Sequence, residues 1–341
     1  MSNSFRFALI RFLVWLLDLL ANDKADPADL TFCYRLLLGR PVDAEGWALY
    51  MQYIRPGRPR NALVDGFLQS DEFRQHRGRA NLRTVDTGRF LMAVDADDPH
   101  IAPGILKGRG YEPHVTTALQ RELRADSVFV DVGANMGWFA LQAAAIVQQG
   151  QVIAIEPNYH NVQLLYYSLV ANGFDNVRVL LYAASDRPAK LRLNFVRSNG
   201  YVAPVGDAAD EATIVEAQPL DVLLKDIPRI DVLKMDIEGH EPVALRGMAT
   251  TLTRCRPVLL CEFHPRLISA NSGTEPAGFL AALDGLGYAL AVLHPDGRET
   301  EALPPPAIMA EWERVNREAG ADGWLHLDLI GRPRSEPEAG T

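Results

Sequence analysis

From Tyr111 onward, runs rich in β-branched and apolar residues alternate with segments of helical periodicity, and this alternation limits the fold more tightly than any other feature. A helix over YEPHVTTALQREL is followed by SVFVD as a strand, a helix from Trp138, QVIAIEP, a helix from Tyr159 and VRVLLYAA. IDVLKMD, a helix from Glu241, RPVLLCEF, a helix near Pro276 to Leu286, YALAVL and WLHLDLI complete the series. Strand and helix in alternation predict an α/β fold with a parallel sheet covered on both faces, whose ligands bind beyond the carboxyl ends of the strands.

The first strand runs into DVGANMG, so this turn is the first place to look for a ligand. Gly133 and Gly137 permit backbone conformations that a Cβ opposes, and the helix starting at Trp138 offers free N–H donors. Asp131 at the strand's end is placed to accept a hydrogen bond from a ligand ammonium, or else to tie down the loop's own amides. The spacing departs from a dinucleotide fingerprint: Asn135 stands at the middle glycine, Trp138 at the last, and the P-loop lysine is missing. Glu156, about 25 residues after Asp131 at the tip of the second strand, suits a ribose diol. Pro157 and Asn158 give that strand a tight exit. Together these features point to a nucleoside ligand carrying a carboxylate.

The rest of the chain is read around this unit. With 341 residues, 48% of them hydrophobic, the sequence exceeds one compact core, and one large domain with a small appendage is expected. The net charge of −9 excludes a general nucleic-acid binder. Cys33, Cys255 and Cys261 form neither a Cys-x-x-Cys motif nor an even set, which fits a reducing, cytoplasmic setting. Residues 1–25 form an amphipathic helix interrupted by Arg11 and Asp18, too short in its apolar run to span a bilayer. Packing on its own protein or on a dimer partner, or contact with the inner membrane surface, are the roles open to it. Residues 26–80 read as a helical unit, with helices ending at Gly39 and at Pro56-Gly57 and a third from Asn61 to Phe73. Residues 81–110 lack a clear period and are expected to be a linker, 111–332 the main domain, and 333–341 a mobile tail.

Two resemblances rest on these motifs. YRLLLGRPVDAEGWALY and FLQSDEF resemble a helical domain of unknown function found in bacterial surface and glycan-related proteins. DVGANMGWFAL, VIAIEPN, LYAASD, LDVLLKDI and LKMDIEGHEPVALRGM, in this order, resemble the FkbM-type family of S-adenosylmethionine-dependent methyltransferases. The resemblance implies a class I methyltransferase fold, Rossmann-like, with a seven-stranded sheet whose last strand is antiparallel. It also implies O-methylation of a hydroxyl on a sugar, glycan or natural product. Carried onto this chain, it puts Asp131, Gly133, Asn135 and Gly137 along the methionine moiety, Glu156 on the ribose and Ala184, Ser185 and Asp186 beside adenine. Glu112 matches a glutamate that precedes the first strand in the family.

Methyl transfer needs an aligned acceptor oxygen, exclusion of water and a base for the hydroxyl proton. Asp236 and His264, at the tips of the fourth and fifth strands, are the expected bases, with His240 as a further candidate. Glu238 and Glu262 lie close by in sequence, and Glu238 could equally cap the next helix. A divalent ion would need three converging ligands from this cluster, and the reading without a metal is preferred. Lys234 is expected to be structural, paired with an acid. A cofactor-binding scaffold without turnover and an NAD-dependent oxidoreductase are the alternatives.

Overall fold

The computed structural model describes residues 27–38, 42–54, 81–196, 198–204 and 213–334, with a few isolated positions before residue 73. The expected N-terminal helix, most of the helix from Asn61 and nearly all of the tail lie outside the described residues.

Seven strands form the main sheet: β3 (Val128–Val132), β4 (Gln151–Ile155), β5 (Val177–Leu180), β10 (Val232–Met235), β11 (Val258–Phe263), β12 (Tyr288–Leu293) and β13 (Leu327–Pro333). Their order is β12-β13-β11-β10-β3-β4-β5, and β13 runs antiparallel to both neighbours while the pairs from β11 to β5 are parallel. This is the class I methyltransferase arrangement, with the antiparallel strand last in the chain.

Alternation along each strand builds two cores. Phe129, Val152, Ala154, Val232 and Leu260 point to one face, where the helices Pro113–Glu122, Trp138–Ile146 and Tyr159–Asn172 pack. Val130, Ile153, Ile155, Leu233, Leu259 and Cys261 point to the other, under the helices Ala249–Cys255, Pro276–Gly285 and Pro305–Ala319. Successive side chains of a strand alternate in direction, so continuous apolar runs are what a sheet buried on both faces requires. The helices Pro27–Leu37 and Ala44–Ile54 contribute Leu30, Cys33, Tyr34 and Ile54 to the first of these cores.

Three segments differ from expectation. Residues 81–110 are more than a linker: β1 (Leu82–Asp86) and β2 (Leu91–Asp95) form an antiparallel hairpin, and a short helix spans Ala102–Leu106. Phe90, Met92 and Val94 bury it, and its free edge is satisfied by side chains of the helix Tyr159–Asn172. The Leu91 N–H donates to Asn172 Oδ1 at 2.7 Å, and the Ala93 N–H to Ser168 Oγ at 2.9 Å. VRVLLYAA splits into β5 and β6 (Ala183–Ser185), which joins a second sheet. That sheet, ordered β6-β9-β7-β8, adds β7 (Ala189–Val196), β8 (Asn199–Pro204) and β9 (Thr213–Pro219) in a stretch where the sequence series places no strand. Leu191 and Leu193 alternate with Arg192 and Asn194, so burial of one face drives its pairing.

Candidate active site

A cleft of about 870 Å³, its open mouth included, lies beyond the carboxyl ends of β3, β4 and β10, with the β7–β8 hairpin as its far wall. The turn after β3 forms its floor. Gly133 has φ of +84°, and a Cβ there would stand 1.9 Å from the Asp236 carbonyl oxygen, so the turn is seated directly on the chain leaving β10. Asn135 also has positive φ and lines the cleft. Gly137 is different: its φ is +94°, but a Cβ would strike Leu165 at 2.4 Å, and it serves helix packing rather than lining the cleft.

Glu156 is buried at the tip of β4 and reaches the cleft. Its Oε2 accepts the Asn135 N–H at 2.8 Å, and its Oε1 accepts the Asn158 N–H at 2.8 Å and Asn161 Nδ2 at 3.4 Å. Burial pushes its carboxyl up to about 7, opposed by the hydrogen bonds from Asn158 and Asn135. Pro157 and Asn158 line the same wall, and Asn158 Oδ1 caps the following helix by accepting the His160 N–H at 3.0 Å.

Asp131 departs from its expected role. It is fully buried and does not line the cleft. Period two turns it to the face opposite Val130 and Val132, where it pairs in register with Lys234. Burial raises its carboxyl to about 6, with Lys234 and the helix amide of Ala140 opposing the rise. Lys234 itself is buried, its Nζ 2.8 Å from Asp236 Oδ2 and 4.4 Å from the centre of the Phe139 ring. Burial alone would favour loss of its proton, but Asp236, Glu112 and Asp131 around it hold it well above the ordinary lysine range. The acid it pairs with is thus Asp236, and both line the cleft.

Glu238 shares that end of the cleft, its carboxyl raised to about 7 by burial and by Asp236 against the pull of His326 and Lys234. Glu112, beside the cleft with Tyr111, is raised to about 7 by burial, with Lys234 opposing and Asp236 adding. A neighbouring polar group continues outward. His326 Nδ1 lies 3.2 Å from Glu262 Oε1 and its Nε2 3.6 Å from Asp328 Oδ2, which His114 Nε2 also meets at 2.7 Å. His264 belongs here, its ring 6.2 Å from Trp324 and 6.5 Å from His326; it is buried and does not line the cleft. Burial and His326 lower its affinity for a proton.

On the opposite side, Ala184 lines the cleft while Ser185 and Asp186 lie just behind it, Asp186 being ion-paired to Arg246 at 3.2 Å. His240 lines the cleft, with its proton affinity lowered to about 4 by burial. Among the described residues no group of three or more His, Cys, Asp or Glu side chains is arranged to hold a metal ion.

Sequence reasoning missed the latch on the hairpin. The Ser198 carbonyl accepts from Asn161 Nδ2 at 2.9 Å and Asn135 Nδ2 at 3.2 Å, while Asp98 Oδ2 accepts the Ser198 N–H and hydroxyl at 3.1 and 2.5 Å. Only tertiary structure joins residues so far apart in the chain. His326 and Asp328 were also missed, although WLHLDLI places them on one side of a strand.

A curated relative from Beauveria bassiana, named Methyltransferase 1, is 25% identical over 185 residues, covering 47% of this chain and 74% of its own. Solved structures similar to this chain include the methyltransferase FkbM from Methylobacillus flagellatus, at 15% identity and a TM-score of 0.38 over 88% of this chain; the match spans 58% of that protein's length. Another is fibrillarin from Aeropyrum pernix with natively bound S-adenosyl-L-methionine, at 12% identity and a TM-score of 0.36, covering 64% of this chain and 74% of that one. Residues 21–77 match a domain of unknown function, DUF4214. Residues 131–290, which run from the tip of β3 into β12 and include most of the cleft, match the model of the methyltransferase FkbM domain.

Proposed function

We propose that this chain is an S-adenosylmethionine-dependent methyltransferase that O-methylates a hydroxyl of a sugar, glycan or natural product. The observation that carries the reading is one cleft joining a glycine turn and a strand-tip glutamate to the Lys234–Asp236 pair and Glu238. The donor set fits the cofactor: Gly133 and Asn135 would hold the methionine end, Glu156 the ribose hydroxyls, and the wall at Ala184 the base. S-adenosylmethionine, when bound, supplies an electrophilic methyl carbon on a sulfonium.

Asp236, tethered through Oδ2 to the Lys234 ammonium, has Oδ1 left to orient the acceptor hydroxyl. Glu238 takes the hydroxyl proton as the new oxygen–carbon bond forms and the carbon–sulfur bond breaks, and passes it to solvent afterwards. Its position near 7 suits a base at neutral pH. The free thiols of Cys33, Cys255 and Cys261 suit work in the cytoplasm, and no described helix is long and apolar enough to cross a membrane. A role for residues 1–25 at a membrane surface or in self-association belongs to the same proposal, as does the lack of a nucleic-acid partner.

The test is transfer of labelled methyl groups from S-adenosylmethionine to a panel of glycans and polyhydroxylated natural products. Glu238→Gln is expected to slow transfer by about two to four orders of magnitude while leaving cofactor affinity near wild type. Full turnover in that variant on the true acceptor would refute the role of Glu238.

A further inference from the structure

His240 is a polar group in the cleft that the proposed reaction leaves without a task. It is 7% exposed, and neither ring nitrogen has a hydrogen-bond partner. A buried polar atom left unpaired costs about 1–3 kcal/mol, and such atoms are few in native proteins unless a ligand completes them.

The backbone around His240 is fixed by close packing. Gly239 has φ of +89°, and a Cβ there would stand 2.3 Å from the Leu267 carbonyl, so the turn before His240 is held against the next element. The helix Glu241–Arg246 that follows packs on β6, and a Cβ at Gly247 would lie 1.9 Å from the Ser185 carbonyl oxygen. The turn from Asp236 to His240 is thereby held in place where it lines the cleft. Glu238 faces Asp236, His326, Lys234 and Glu112, whereas the charged groups near His240 are Asp186 and Arg246. The same cleft is lined by Tyr182, Ala184, Leu193 and Val202, apolar surface suited to a flat heterocycle. Burial keeps the imidazole neutral at physiological pH, with one nitrogen donating and the other accepting.

We propose that His240 reads the purine base of the bound nucleoside, its unprotonated nitrogen accepting a hydrogen bond from the exocyclic amine of adenine. The inference rests on the cofactor reading above, and it makes His240 a recognition residue rather than the base that sequence position suggests.

Titration calorimetry with S-adenosylhomocysteine and its 6-oxo analogue S-inosylhomocysteine separates the outcomes. Wild type is expected to prefer the adenine form by about tenfold or more. His240→Phe, which keeps a ring but no acceptor, is expected to bind S-adenosylhomocysteine about tenfold more weakly and to lose the preference. His240→Asn, smaller but with an acceptor oxygen, is expected to keep part of it. In turnover, the KM for cofactor should rise in His240→Phe by a much larger factor than kcat falls. Undiminished preference for adenine in His240→Phe, or a hundredfold loss of kcat with affinity intact, would overturn this inference alone. Failure of wild type to bind S-adenosylhomocysteine would overturn the cofactor reading with it.

Discussion

A methyl group at Gly133 would collide with the Asp236 carbonyl oxygen and force a side chain into a backbone with φ of +84°, so this position joins two strand tips as much as it admits a ligand. Sequence reasoning expects Gly133→Val to abolish cofactor binding in a folded protein. The contact with β10 adds a stability cost, and Gly133→Ala is expected to lower the melting midpoint by several degrees as well as to remove binding, as calorimetry and thermal unfolding would report. At Glu156 the expected cost is affinity. Glu156→Gln keeps the shape but turns one oxygen into a donor facing the Asn135 or Asn158 amide, and should weaken cofactor binding by about ten- to a hundredfold. Strand tips were legible in the sequence because their glycines and acids follow apolar runs. The direction of each side chain was harder to read. Asp131 and Lys234 fall on the face covered by the helix Trp138–Ile146 because strand residues alternate, and that phase follows from the register between β3 and β10.

The β7–β8 hairpin shows how an element can complete a site. Its turn is tied by Ser198 to Asp98, Asn135 and Asn161, and Asn135 and Asn161 also hold Glu156, so the far wall and the ribose end share partners. Asp98→Ala removes the Ser198 bonds and those to the Ile101 and His100 amides, and is expected to speed cofactor dissociation severalfold in stopped-flow release. An unchanged release rate would show that this tie does not control the wall. The sheet strands were legible from their continuous apolar runs. The hairpin was not, because the polar stretch after β8 masked the short alternation before it. The helix Pro305–Ala319 was also missed, since LPPP reads as a break although proline at the first turn also starts helices.

Across the whole molecule, raised carboxyls set the response to pH. Glu112, Glu156 and Glu238 hold their protons to about 7 and Glu241 to about 8 in the folded chain, against about 4.3 when unfolded. The folded state therefore binds more protons between these limits, and stability falls as pH rises through that window. His326, raised to about 9 by Asp328 against the effect of burial, contributes stability that is full below about 6.5 and lost as pH rises through 9. The lowered histidines His240 and His264 act in the opposite direction only below about 6.5, so the melting midpoint of the ligand-free protein should decline from pH 6.5 to 8.5 in a buffer series. The N-terminal helices share the core that Tyr34 and Leu30 enter with the helix Tyr159–Asn172, yet among the described residues none before Ile101 lines the cleft. A chain starting at residue 81 should melt lower and still bind cofactor.

The central claim is that the cleft beyond β3, β4 and β10 holds S-adenosylmethionine. Equilibrium titration of the full chain with S-adenosylmethionine and, separately, with NAD tests it most directly. Saturable binding of S-adenosylmethionine at one site per chain, lost in Gly133→Ala, with no comparable binding of NAD, is the result expected. Absence of S-adenosylmethionine binding, or NAD binding of equal strength in the same cleft, would contradict it.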